Sequence, residues 1–350
     1  MDEIIQLILC VIVVHYLSCL YKQYTLASLF SSVKEASMTW KHIIIIPVVS
    51  SLVLVLIFFF PKIGKYFLYF SVFFTGFTCF YLIFTPLTEK LNSLPDNLKY
   101  FITCVLAVFV IVMYIMVHTT FTTNLVGIGV AIAIQSLLYV SKVYIPVVLL
   151  TVMFFYDIFW VFGSVLVPVF DGKSVMVETA KTATSLKLPL LLEFHSIFGD
   201  GHFMIGLGDI VLPGILINFT YCLDRFYKTK YFFCTLGGYI FGLLLTILML
   251  WKFRVGQPAL LYLVPSMFVG FFGHGFYTKT LKTAFSMNLS DNYTQLFQDS
   301  LSGNDPQSDQ MHQEIVLHDP EEMVEQLDKR EDEKKRAEDT KDNIYSIELD

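Results

Sequence analysis

The chain has 350 residues, 55% of them hydrophobic and only 15% charged, and its mean hydropathy is +0.63. A soluble domain has about a quarter of its residues charged, so this composition excludes a soluble globular protein and implies an all-α, polytopic membrane protein. The formal net charge of −6 belongs to the end of the chain: residues 319–350 hold thirteen acids against six Lys/Arg, a balance of −7, which leaves the rest near +1. No nucleic-acid partner is expected.

Nine stretches are apolar and long enough to cross a bilayer: 4–20, 42–60, 66–87, 100–118, 124–140, 145–163, 203–223, 231–251 and 258–276. The first follows Met1-Asp2-Glu3, with no positive n-region and no small-residue cleavage site, so it reads as a retained helix. Two acids precede it, while Lys22, Lys34 and Lys41 follow. The positive-inside rule then sets the N-terminus on the outer or lumenal side, and nine spans set the tail in the cytosol. Lys252 and Arg254 fall on the opposite side from this expectation.

Three regions follow from this pattern. Residues 1–140 hold about five spans with no acid inside them. Residues 145–276 hold spans six to nine, with two isolated aspartates and most of the helix-interrupting Gly and Pro. Residues 277–350 form a polar, acidic, largely disordered tail, in which Glu325–Lys329 and Glu331–Lys335 have the i,i+4 spacing of a solvated helix. Sequons at Asn288 and Asn292 follow the last span and stay unmodified if the tail is cytosolic. The six cysteines lie in or beside spans, form no CxxC pair and read as packing residues. Gly238 and Gly242 have the GxxxG spacing of a close helix crossing. His15, His118 and His202 read as packing or interfacial residues, and no metal or cofactor is expected.

The two acids carry the chemistry. Asp157 lies in "LLTVMFFYDIFWVFG" and Asp209 in "FMIGLGDIVLPG". An aspartate at mid-bilayer costs roughly 2.5–3.5 kcal/mol even on gentle scales, so each needs a reason to be there. Three readings are open: a structural hydrogen bond between helices, ion or proton coupling in a transporter, and catalysis by a carboxyl pair. Asp157 lies six residues before Gly163, and Asp209 six after Phe203. If those residues end span six and begin span seven, both carboxyls sit roughly 9 Å below one membrane face. Paired there they would share a proton. One could then take a proton from water while the other donates to a carbonyl, which is the machinery for amide hydrolysis without a covalent intermediate. Gly206 and Gly208 let backbone approach closely beside Asp209. Pro258 suits the first turn of the last span, and Pro265 frees backbone inside it.

"YD" at Tyr156-Asp157, "GLGD" at Gly206-Leu207-Gly208-Asp209 and "QPALLYLVP" at 257–265, taken together and in order, resemble the signal peptide peptidase family, the GxGD-type intramembrane aspartyl proteases distantly related to presenilin. The likeness extends through "YDIFWVFG", "SVMVETAK", "KLPLLL" and "YIFGLLLT", over roughly 145–276.

The resemblance implies a presenilin-like fold of nine helices with a lumenal N-terminus, in an endoplasmic reticulum, Golgi or endosomal membrane. It implies Asp157 and Asp209 as the catalytic pair. Tyr156, Gly206, Leu207 and Gly208 would shape the site, and Gln257, Pro258, Ala259 and Leu260 would help to hold substrate. The substrates it implies are type II membrane segments and leftover signal peptides. An unwound substrate strand would pair with backbone in 185–192, at Lys187, Leu188 and Pro189, and near Pro258. The link 164–174 is longer than that of signal peptide peptidase itself and resembles the signal-peptide-peptidase-like branches; no dilysine signal closes the chain. The roughly 40 residues between the catalytic spans lack presenilin's long insertion, so an intact chain without obligatory subunits is expected, and homo-oligomers are left open. The rival functions are a proton- or cation-coupled transporter and an inactive chaperone that binds membrane segments.

Overall fold

A computed structural model describes residues 2–287, except 36–37, 90, 92–94, 118, 171, 187, 196–201, 228 and 254–256. Residues 288–350, with both sequons and the expected tail helix, and His118 and Lys187 lie outside the described residues. The chain divides into two units, Met1–His274 and Gly275–Asp350. The second contains a short helix, Leu281–Ser286.

The helices in order are α1 (Asp2–Glu35), α2 (Trp40–Phe59), α3 (Pro61–Glu89), α4 (Asp96–Val117), α5 (Thr120–Leu137) and α6 (Tyr144–Ile158). A π-turn, Phe159–Gly163, and a last turn, α7 (Ser164–Leu166), continue α6. After α8 (Val175–Ser185) come two strands, β1 (Leu191–His195) and β2 (His202–Gly206), then α9 (Leu207–Tyr227), α10 (Tyr231–Phe253) and α11 (Leu260–Tyr277). Among the described residues nine helices are long and apolar enough to cross a membrane. The chain is a multi-pass membrane protein with the all-α body the composition implies. Exposed apolar side chains such as Phe70, Phe74, Phe109 and Met116 face outward from α3 and α4, as a surface solvated by lipid requires.

The helices that matter for the site are α5, α6 and α9, with α1, α10 and α11 around them. α9 packs against α1, α5, α6 and α10. It is the most enclosed span, with 72% of its apolar window buried against 11–44% for the others, so what it carries is shielded by protein. α10 and α11 meet backbone to backbone. A Cβ built on Gly238 would fall 2.5 Å from the Ser266 carbonyl oxygen, one on Gly242 2.9 Å from the Leu263 Cα, and one on Gly270 2.3 Å from the Cys234 carbonyl oxygen. The small-residue crossing expected at Gly238 and Gly242 is therefore present, with Gly270 as its partner on α11.

Three span boundaries differ from the sequence expectation. The sixth span does not stop at Gly163: the π-turn and α7 carry it to Leu166. The seventh does not begin at Phe203. Residues 203–206 are extended, and the helix starts at Leu207. A short apolar run fits either state, and here β1 supplies a partner that periodicity alone cannot reveal. The last span starts at Leu260, so Pro258 precedes its first turn instead of occupying it.

The hairpin has clear physical causes. β1 alternates, with Leu192 and Phe194 buried between less buried neighbours. It pairs antiparallel with β2, Leu192 opposite Ile205 and Phe194 opposite Phe203. Leu192 packs where Gly127 of α5 leaves room, since a Cβ there would lie 2.7 Å from the Leu192 Cδ2. The Leu207 N–H donates to the Leu190 carbonyl at 2.9 Å, so the ladder runs directly into the first residue of α9.

Candidate active site

Asp157 sits on the last regular turn of α6, two residues before the π-turn begins. It is 2% exposed. The π-turn is pinned from the far side. Trp160 packs with Phe170 and Val175, and its Nε1 donates to the Ser51 hydroxyl of α2 at 3.3 Å. The Trp160 carbonyl, which a π-turn leaves off the regular ladder, accepts from the Ser164 hydroxyl at 2.7 Å and the Ser174 hydroxyl at 3.2 Å. Ser174 also caps α8 through the Val177 N–H. The aromatic run "FWVFG" thus clamps the segment just beyond Asp157 to α2 and α8.

The Oδ2 of Asp157 accepts the Leu260 N–H at 3.2 Å. That amide opens α11 and has no donor role inside its own helix. The buried Oδ1 has no hydrogen-bond partner among the described residues. One carboxylate oxygen is therefore occupied and the other is free for a ligand.

Asp209 is the third residue of α9, in the first turn, where negative charge is best tolerated. The expectation that it lies six residues inside a helix is corrected: four of those residues are strand. It lies at the start of the helix that packs against α6, which carries Asp157. The two glycines flanking Leu207 do different things. A Cβ on Gly206 would press on Asp209 itself, 3.0 Å from Oδ2 and 3.7 Å from Cγ, whereas one on Gly208 would meet nothing within 4 Å. Gly206 makes room for the carboxyl, and Gly208 leaves open space beside it. Gly208 is exposed and Asp209 is partly so, whereas Asp157 is buried.

The other residues of the predicted site fall into two groups. Leu260 comes to Asp157 through the amide just described, and the buried Pro258 accepts the Leu261 N–H at the start of α11. Gln257 accepts from the Tyr262 hydroxyl at 2.6 Å and so ties the approach segment to α11. Leu207 is buried, and its amide joins the hairpin. By contrast, Tyr156 turns toward Ser50 and Ser51 of α2 and packs near Trp160. Leu188 is 2% exposed and packs with Ile57, Leu68 and Leu186. The carbonyl of Pro189 faces Gly127. Leu188 and Pro189 are thus occupied by packing.

Sequence reasoning misses Asn124. Its side-chain amide donates to the Glu193 carbonyl at 2.6 Å and accepts the Glu193 N–H at 3.0 Å, closing the outer edge of β1 as a neighbouring strand would. With residues 203 and 205 paired to β1, the backbone of Met204 points to the opposite, outer edge of β2. Neither its N–H nor its C=O has a partner among the described residues, and its side chain is 38% exposed.

Comparison with known proteins shows what the chain is similar to. Residues 30–291 match the signal peptide peptidase family. Signal peptide peptidase of Mus musculus is 38% identical over 169 residues, covering 46% of this chain and 41% of the mouse protein. Signal peptide peptidase-like 3 of Oryza sativa is 37% identical over 169 residues, covering 45% of this chain and 32% of the relative. Intramembrane protease 2 of Caenorhabditis elegans is 33% identical over 178 residues, covering 45% of this chain and 36% of the relative. The matched stretch thus spans less than half of each of these relatives. The solved structure of a presenilin family intramembrane aspartate protease superposes with a TM-score of 0.50 at 18% identity, covering 77% of this chain and 95% of that one; at this identity the likeness speaks for the fold. The fold is that of the presenilin-like membrane proteins. The chain belongs to the signal peptide peptidase family.

Proposed function

We propose that the protein is an intramembrane aspartic endopeptidase that hydrolyses peptide bonds within type II-oriented transmembrane segments or leftover signal peptides. The observation that carries this reading is the asymmetric seating of two carboxyls. Asp157 has one oxygen held by the Leu260 amide and the other buried without a hydrogen-bond partner among the described residues, and Asp209 lies in the first turn of the helix that packs on α6. Two close carboxyls share a proton, and that proton state suits hydrolysis: the ionised group takes a proton from the attacking water and the protonated one donates to the scissile carbonyl. A mere structural hydrogen bond between helices gives no reason for the space that Gly208 keeps open.

Substrate arrives as a helix whose amides are internally bonded, so the segment to be cut must unwind. The freed strand pairs with the outer edge of β2, at Met204, two residues before the GLGD turn. The 185–192 loop first considered is less suited, because Leu188 is core and Asn124 covers β1. The Pro258–Leu260 segment forms the other wall. The termini lie as the flanking charges suggest, lumenal N-terminus and cytosolic tail, in an endomembrane. Glycosylation at Asn288 or Asn292 would contradict that topology.

Purified protein in detergent should cleave a single-pass type II reporter segment, and Asp157→Ala or Asp209→Ala should abolish cleavage while the protein still elutes as a folded species. Wild-type protein that binds the segment without cutting it, or transports a solute instead, would discard the proteolytic reading.

A further inference from the structure

Pro213 lies four residues after Asp209 on α9. In an α-helix the carbonyl of residue i accepts from the amide of i+4, and proline has none. The Asp209 carbonyl is therefore released from its own helix in the first turn. It accepts instead from the Tyr239 hydroxyl of α10, at 3.1 Å. Tyr239 is fully buried, and its ring is held edge-on by His15 of α1, centroids 5.0 Å apart at 84°.

The next residue along α9 continues the arrangement. A Cβ on Gly214 would fall 2.3 Å from the Gln135 side-chain amide, so the missing side chain makes the notch that Gln135 of α5 fills. From there the Gln135 Nε2 donates to the Ile210 carbonyl at 3.3 Å. Its Oε1 accepts from the Ser18 hydroxyl at 3.0 Å and faces the His15 Nδ1 at 3.1 Å. Pro213 thus passes the Asp209 carbonyl to a donor on α10, and the room at Gly214 lets a side chain of α5 add a second donor to the Ile210 carbonyl.

We propose that Tyr239 is a positioning residue for Asp209: its hydroxyl replaces the amide that Pro213 removes and fixes the turn that carries the carboxyl. The proposal rests on the proteolytic reading above. A helix closed by its own amides would set the Asp209 carboxyl by local geometry alone. Here its placement is referred to α10, and through His15 and Gln135 to α1 and α5, while Asp157 is referred to α11.

The test is a double-mutant cycle on the purified full-length chain, with Tyr239→Phe, Pro213→Ala and the pair. Cleavage of the reporter segment gives kcat and KM, and thermal melting gives stability. Tyr239→Phe leaves a buried carbonyl unpartnered and should lower kcat about tenfold with KM within about twofold. In the Pro213→Ala background, residue 213 supplies the helical amide, and Tyr239→Phe should then cost less than about twofold. An equal loss in both backgrounds would overturn the proposal, since it would mean that Tyr239 acts by packing. So would an unchanged kcat in Tyr239→Phe. Should Tyr239→Phe alone fail to fold, recovery of folded protein by Pro213→Ala supports the proposal and non-recovery overturns it. If wild-type protein cleaves nothing, the proteolytic reading fails by itself. The melting temperatures then still decide whether the phenol substitutes for the proline's missing amide.

Discussion

The two glycines of the GLGD turn should respond oppositely to one added methyl. In Gly206→Ala the new carbon lies 3.0 Å from the Asp209 Oδ2, closer than such contacts normally allow, so the carboxyl must give by about 0.3 Å. Misplacement of catalytic groups by 1 Å costs on the order of 100-fold. On that scale, a shift of about 0.3 Å costs roughly fourfold, and a kcat lowered by about 3- to 10-fold is expected, with KM little changed. In Gly208→Ala the methyl meets nothing within 4 Å, and alanine in a first helical turn stabilises by up to about 1 kcal/mol over glycine. The free protein should melt at the same or a slightly higher temperature. If substrate uses the space beside Gly208, the loss appears as a raised KM. Steady-state cleavage of one reporter segment by both variants, with melting curves in the same detergent, separates the cases. A Gly206→Ala protein with wild-type kcat would refute the claim that this position makes room for the carboxyl. A Gly208→Ala protein with wild-type KM would refute the claim that substrate backbone passes there.

Asn124→Ala removes both bonds to Glu193 and should destabilise the hairpin by about 1–3 kcal/mol; faster amide exchange across Leu191–His195, with little change in α10, would register it. Gly270→Ala puts a methyl 2.3 Å from the Cys234 carbonyl oxygen, a backbone atom that cannot rotate away. It should cost about 1–3 kcal/mol by forcing α10 and α11 apart, read as a lower melting temperature. A proline at Met204 removes one outward amide from β2 without touching the bonds to β1, so it should raise KM for the reporter several-fold. Unchanged KM would move the substrate strand elsewhere.

Much of the site was legible because bilayer chemistry is unforgiving. An acid inside an oily span needs a reason, so Asp157 and Asp209 stand out without any structure, and the glycines beside Asp209 point to crowding there. Nine spans followed from apolar run length alone. What was not legible depends on partners distant in the chain. "FMIG" is strand because β1 lies alongside it, and nothing in four apolar residues distinguishes that from the start of a helix. Asn124 sits among span residues and looks incidental until Glu193, 69 positions away, is set against it. Tyr156 also turns toward α2, a contact its place in the motif does not reveal.

Pro213 falls at the single spacing that strips Asp209 of its helical hydrogen bond, and this can be counted in the sequence. A buried carbonyl released in that way needs a donor from elsewhere, so the spacing alone implies a polar partner on a neighbouring helix. Only its identity, Tyr239, requires the fold. The same logic applies at Pro265 of α11, which takes the amide partner from the Leu261 carbonyl, one residue beyond the contact with Asp157. Both carboxyls therefore sit close to a helix segment whose internal bonding is incomplete. In a bilayer such gaps are tolerated only where protein or a polar cavity fills them. The prolines and the aspartates thus have one physical explanation: each needs surroundings that lipid does not provide.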